Sequence, residues 1–237
     1  MSFNLVSAQA DTTVYALKTK SPSVVNTNAR KWPHYLSGGL IALGVWGTVD
    51  SSIINKHRIS FQGKLENQGW HKQIDNIGTV LPAAMVYGLE WVGVKPKTDF
   101  ANRSVILAKA EAMMLISVFA IKHWSNVERP DGSNFQSFPS GHTAQAFLSA
   151  HFFHKEFGYK SIWYSIGGYA VASAVGVMRV AHNRHWITDV MTGAGLGILS
   201  TEIAYRTHRY RWKKNFQFTV LPSYERKITS LTAWVRF

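Results

Sequence analysis

Six apolar segments set what this chain can fold into: Tyr35–Val49, Ile77–Val94, Val105–Ile121, Thr143–Phe153, Ser161–Met178 and Val190–Tyr205. Strands usually run about 5–6 residues. Segments two to three times that length, rich in Ala, Leu, Met and Gly, read as helices. The expected fold class is therefore all-α, a bundle of about six main helices. The fifth segment runs 18 residues without a charge, the length that argues for a membrane span. Glu90, Lys109, Glu111 and Glu202 interrupt the other segments. Such charges either face the bundle interior or mark helices only partly covered by lipid. The expected bundle is membrane-embedded.

Breaks at Lys95–Asp99 and Glu156–Gly158 separate neighbouring segments, and residues 51–76 read as a longer polar connection. One helical domain, residues 32–205, is expected between two tails. The tail 1–31 is polar, and its Ala8-Gln9-Ala10 resembles the end of a cleaved signal. The tail 206–237 begins with five Lys/Arg in nine residues. It then alternates in part, which suggests a short hairpin around Leu221-Pro222-Ser223.

Charge narrows the partners. Charged residues are 16% of the chain, against a usual share of about 25%. Yet Lys and Arg number 26 against 13 acidic residues, a net charge of +13. That balance favours an anionic partner: nucleic acid, anionic lipid or a phosphorylated substrate. No nucleic-acid recognition module is visible, so nucleic acid is not expected as a partner. The absence of cysteine excludes disulfides, thiolate metal sites and cysteine nucleophiles.

Three polar clusters lie at the ends of apolar segments. Lys122 to Arg129-Pro130 closes the third, Pro139-Ser140-Gly141-His142 opens the fourth, and Arg179, His185 and Asp189 bridge the fifth and sixth. In an up-down bundle these ends share one face, so the active site is expected at one end. Lys122, Arg129 and Arg179 supply three cations. Ser140 and Gly141 open a helix, whose free N–H groups and positive dipole end favour an anion. Together they read as a cradle for phosphate. His185 and Asp189 stand at i and i+4 and meet if a helix begins near His185. A carboxylate on one ring nitrogen leaves the other as a nucleophile. His142, beside the cradle, can protonate a leaving oxygen and then activate water. No carboxylate cluster is present, so no metal and no other cofactor is expected.

Lys122-x6-Arg129-Pro130, Pro139-Ser140-Gly141-His142 and Arg179-x5-His185-x3-Asp189 resemble the tripartite signature of the type 2 phosphatidic acid phosphatase superfamily. The resemblance spans about residues 34–205. It departs where the family often carries Ser before the third motif's Arg; here the residue is Met178. The resemblance implies a phosphatase in which His185 forms a phosphohistidine, Asp189 orients it and His142 is the general acid. Lys122, Arg129, Ser140, Gly141 and Arg179 would hold the phosphoryl oxygens. His123 and His182 read as flanking residues, Arg184 as a solvated cation, and Asp131 as a partner of Arg129 or a turn cap.

The expected substrate is a phosphomonoester or pyrophosphate on a lipid: phosphatidic acid, phosphatidylglycerol phosphate, undecaprenyl pyrophosphate or lipid A. Nine Trp, the uncharged fifth segment and the basic run favour a membrane-associated enzyme. Mean hydropathy of −0.08 keeps a soluble periplasmic acid phosphatase of broad specificity as the alternative. A vanadium-dependent haloperoxidase and a non-enzymatic lipid-binding protein are further readings. Lys95, Lys97, Arg103, Lys155, Lys160 and the run 206–214 mark the other end of the bundle. The positive-inside rule places that end in the cytoplasm, with the active site facing the periplasm across a bacterial inner membrane.

Overall fold

Each apolar segment forms one helix: α1 (Trp32–Val49), α2 (His71–Trp91), α3 (Phe100–Ser125), α4 (Gly141–Phe157), α5 (Ile162–Ala181) and α6 (Ile187–Arg206). The structure, a computed structural model, describes residues 32–49, 71–209, 217–225 and 228–236. The N-terminal tail and the suggested signal end lie outside them. The polar connection expected over 51–76 is shorter, because α2 already begins at His71. The tail carries two antiparallel strands, β1 (Gln217–Glu225) and β2 (Ile228–Arg236). Leu221-Pro222-Ser223 does not form their turn. It lies within β1, opposite Thr232, Leu231 and Ser230, and the pairing continues to Glu225 opposite Ile228.

Helices α4 and α6 are central. α6 packs on α1, α3 and α4, and α4 also packs on α2 and α5. Their burial follows from composition: α6 presents Gly193, Gly195 and Gly197 to its neighbours. A Cβ on Gly197 would lie 2.2 Å from the Ala144 carbonyl oxygen, and one on Gly193 would lie 2.5 Å from the Ser140 carbonyl oxygen. Only a missing side chain allows two helix backbones this close, the usual role of small residues four apart in membrane bundles.

The outer helices are apolar on both sides. In α3, Ile106, Ala110, Met114 and Val118 are buried, while Leu115, Ile116 and Phe119 point outward. A helix apolar all round lies in a large core or in lipid. Among the described residues α3, not α5 with its uncharged run, is the helix long and apolar enough to cross a membrane. Trp, Tyr, Ser and Gly dilute α5, whereas the 26 residues of α3 outweigh Lys109 and Glu111. Exposed apolar residues continue on α1, α2 and α5.

The interrupting charges face protein partners. Glu90 pairs with the fully buried Arg103 guanidinium. Glu111 accepts from Gln145 Nε2 at 2.6 Å, and Lys109 donates to Thr207 Oγ1 at 2.9 Å. Glu202 receives Lys155 Nζ at 2.6 Å, His151 Nε2 at 3.1 Å and Arg206 Nε at 3.4 Å. Buried charges need this pairing. Arg103 and Lys155 are therefore internal partners and drop out of the basic rim, which retains the exposed Lys95, Lys97 and Lys160.

Candidate active site

The ends of α3 and α5 and the starts of α4 and α6 meet at one end of the bundle. Lys122 sits in the last turn of α3, and its Nζ donates to the Gln136 carbonyl at 2.6 Å. That contact draws the loop 126–140 over the helix ends. Arg129 lies in this loop. Its backbone N–H donates to the Asn134 carbonyl at 2.9 Å, and its buried Nε has no protein partner among the described residues. Ser140 caps α4, its hydroxyl facing the Thr143 hydroxyl at 2.9 Å and the Thr143 N–H at 3.4 Å. The Ser140 N–H donates to the Asp189 carbonyl at 3.0 Å. Gly193 packs beneath the Ser140 carbonyl, so the N-terminus of α4 rests directly on α6. At Gly141 a Cβ would meet only Val118 Cγ1, at 3.8 Å. Packing therefore does not require this glycine, whereas close approach of a ligand to the backbone would.

The third motif spans a tight corner. Arg179 is in the last turn of α5, and its carbonyl accepts from the N–H groups of Arg184 and His185 at 3.1 and 3.3 Å. His185 lies two residues before α6, not on its first turn. It still meets Asp189: Nδ1 lies 3.4 Å from Oδ2. Its shorter contact is with the Ser137 carbonyl, 2.8 Å from Nδ1. Because a carbonyl can only accept, Nδ1 carries the proton and Nε2 keeps its lone pair. The tautomer expected from Asp189 is thus fixed first by Ser137.

Ser137 also binds Asp189. Its hydroxyl donates to Asp189 Oδ2 at 2.5 Å, and the Trp186 N–H donates to the same oxygen at 2.8 Å. Ser137 and Asp189 are fully buried, and His185 nearly so. Burial holds the His185 imidazole below its ordinary pKa. Lys122 and Arg179 push the same way, and Asp189 opposes them. A neutral histidine ringed by cations is the state a nucleophile needs.

Ser137 is the residue that the sequence did not reveal. Two positions before Pro139 it looks like any loop serine, and only the fold brings it to His185 and Asp189. His142, in the first turn of α4, faces Asn76 of α2, with Nε2 and Oδ1 3.1 Å apart. Arg184 is not simply solvated: it pairs with Asp131 at 3.1 Å. Asp131, expected to fix Arg129 or cap a turn, holds Arg184 and accepts from the Ser133 N–H at 3.0 Å. The Trp186 indole N–H donates to the Glu128 carbonyl at 2.8 Å. These contacts fasten the corner 182–186 to the loop 126–140. Among the described residues no three His, Asp or Glu side chains are grouped to hold a metal.

The family model of the PAP2 superfamily matches residues 104–213, which contain all three clusters. The chain belongs to this superfamily. Lipid A 1-phosphatase from Porphyromonas gingivalis is 37% identical over 161 residues, 68% of this chain. The chain spans 35% of the length of that curated relative. In fold, it is similar to the first transmembrane PAP2-type phosphatidylglycerolphosphate phosphatase from Bacillus subtilis. That likeness has a TM-score of 0.52 and 21% identity, and covers 75% of this chain and all of the other. Aquifex aeolicus LpxE matches with a TM-score of 0.46 and 19% identity, over 69% of this chain and 94% of that one. The matched span contains Lys122, Arg129, Ser140 to His142 and Arg179 to Asp189, the residues that the bundle gathers at one end.

Proposed function

We propose that this PAP2 protein is a metal-independent phosphatase that hydrolyses a phosphomonoester or pyrophosphate on a lipid headgroup through a phosphohistidine. The observation that carries the reading is the Ser137 carbonyl on His185 Nδ1, which leaves Nε2 as the nucleophile beside Lys122 and Arg179.

In the first step Nε2 attacks phosphorus and the bond to the leaving oxygen breaks. His142 gives that oxygen its proton. The phosphorylated imidazole is cationic, and Asp189 stabilises it at 3.4 Å. In the second step water attacks phosphorus, neutral His142 takes a proton from it, and the P–N electron pair returns to Nε2. Inorganic phosphate leaves, with both histidines restored. Lys122, Arg129, Arg179 and the N–H groups opening α4 neutralise the phosphoryl oxygens.

A lipid substrate is supported by the outer surface. Exposed Trp46 and Trp124 stand toward the catalytic end, with Trp91 and Trp163 toward the other, and between them lie Leu43, Val80, Ile116 and Ile166. Aromatic girdles flanking an apolar band suit a bilayer. Exposed Lys95, Lys97 and Lys160 support a cytoplasmic position for the other end. The active site would then face the periplasm across the inner membrane. The name of the Porphyromonas gingivalis relative supports including lipid A among the candidate substrates.

The test is phosphate release in detergent from lipid A, phosphatidic acid, phosphatidylglycerol phosphate and undecaprenyl pyrophosphate, with and without EDTA. Release from one or more lipids, unaffected by EDTA, is expected. Loss of activity with EDTA would overturn metal independence, and activity confined to water-soluble phosphates would overturn the lipid reading.

A further inference from the structure

We infer that Asn76 of α2 positions His142 for proton transfer to the leaving group. The inference rests on the proposed general-acid role of His142 and extends it to a residue outside all three motifs. His142 Nε2 lies 3.1 Å from Asn76 Oδ1. An amide oxygen only accepts, so the imidazole N–H is the donor.

The chain builds this contact from a rigid element. Asn76 sits near the start of α2, two residues before Gly78. A Cβ on Gly78 would lie 2.7 Å from Val175 Cγ2, so α2 is pressed against α5 at this level. The Thr79 hydroxyl donates to the Asn76 carbonyl at 2.6 Å and fixes the backbone that carries the side chain. α2 also packs along α4, whose first turn holds His142. The side chain of Asn76 is exposed, so no packing demand of the core accounts for an amide here.

A general acid must aim its proton at the leaving oxygen, and the Asn76 contact bears on the orientation of the His142 ring. One hydrogen bond to a neutral acceptor restrains the ring without adding charge to the site. The effect is confined to steps that need the proton. Alkyl phosphates need it, because an alkoxide leaves poorly. A p-nitrophenyl phosphate scarcely needs it.

The experiment compares kcat on phosphatidic acid and on p-nitrophenyl phosphate for wild type, Asn76→Leu, Asn76→Asp and His142→Ala, each checked by thermal unfolding in detergent. Asn76→Leu keeps the shape but cannot accept. It should lose about tenfold on phosphatidic acid, the scale of one hydrogen bond, and under about twofold on the phenyl ester. Asn76→Asp retains an acceptor oxygen and should keep most of the phosphatidic acid activity. His142→Ala should show the same selectivity, more strongly. Equal losses of Asn76→Leu on both substrates would overturn the positioning role, as would wild-type activity on both. If His142→Ala itself loses both activities equally, the general-acid reading fails instead. Should Asn76→Leu unfold early, Asn76→Ala in the same pair of assays decides.

Discussion

Adding one methyl at Gly197 tests how closely the catalytic ends depend on the packing of α6 against α4. The Cβ of Gly197→Ala would lie 2.2 Å from the Ala144 carbonyl oxygen and 2.7 Å from the Leu148 nitrogen. Both are backbone atoms, so no side chain can swing away. Restoring normal contact requires the helices to part by about 1 Å. Overpacking of this kind costs about 1–3 kcal/mol, and backbone partners put it at the upper end. The displacement also reaches the site. Ser140 and the Asp189 carbonyl are 3.0 Å apart across the same interface, and Ser140 to His142 ride on α4 while Asp189 rides on α6. A misplacement of about 1 Å can cost on the order of 100-fold in rate. The assay is thermal unfolding in detergent together with kcat on phosphatidic acid, against Gly167→Ala on α5 as control. A Cβ at Gly167 meets no atom within 4 Å, so that variant should match wild type or be slightly more stable, since alanine favours helix. If Gly197→Ala behaves like Gly167→Ala in both assays, the backbone contact does not set the site.

Other predictions concern the site itself. Ser137→Ala keeps the carbonyl that fixes His185 but removes a 2.5 Å donor to Asp189. It should cost about 1.5–3 kcal/mol of stability, the scale of a hydrogen bond to a charged group, and lower kcat less than Asp189→Ala; chemical denaturation and steady-state rates check both. Gly141→Ala has room against Val118, so it should fold normally yet lose at least about tenfold in kcat/KM, by blocking close approach to the backbone; full activity would remove Gly141 from the cradle. For pH, neutral His185 is the active form and burial lowers its pKa. The acid limb of kcat/KM should therefore lie below pH ~6.5, the ordinary histidine value. Asp189→Asn removes the opposing influence and should move that limb lower still. In stability, the depressed pKa means that the contribution of His185 is present above the unfolded value and lost as pH falls below it.

The helices were legible because long apolar runs separated by proline, glycine and charge can bury themselves in few other ways. Their ends were less so: five of the six residues from His71 to Asn76 are polar, so this stretch reads as connection although α2 already begins at His71. The uncharged run of α5 looked more membrane-like than α3, because a count of charges ignores how strongly Trp, Tyr, Ser and Gly dilute hydropathy. Glu90, Glu111 and Glu202 left two readings open, and their partners Arg103, Gln145, Lys155 and His151 close the choice toward the interior. The candidate site was legible in its motif residues, since Lys122, Arg129, His142, Arg179, His185 and Asp189 carry chemistry in their side chains. Ser137 and Asn76 were not. Ser137 acts partly through its backbone carbonyl, which every residue has, and Asn76 meets His142 across 66 positions of sequence.

The proposed reaction passes through phosphorylation of His185 Nε2. The most direct measurement is rapid acid-free quenching of the enzyme with phosphatidic acid carrying a radiolabelled phosphate, followed by localisation of the label. Label is expected on His185, labile in acid and stable in base, and absent from a folded His185→Ala variant that releases no phosphate. Phosphate release by His185→Ala at the wild-type rate, or label on another residue, would contradict it.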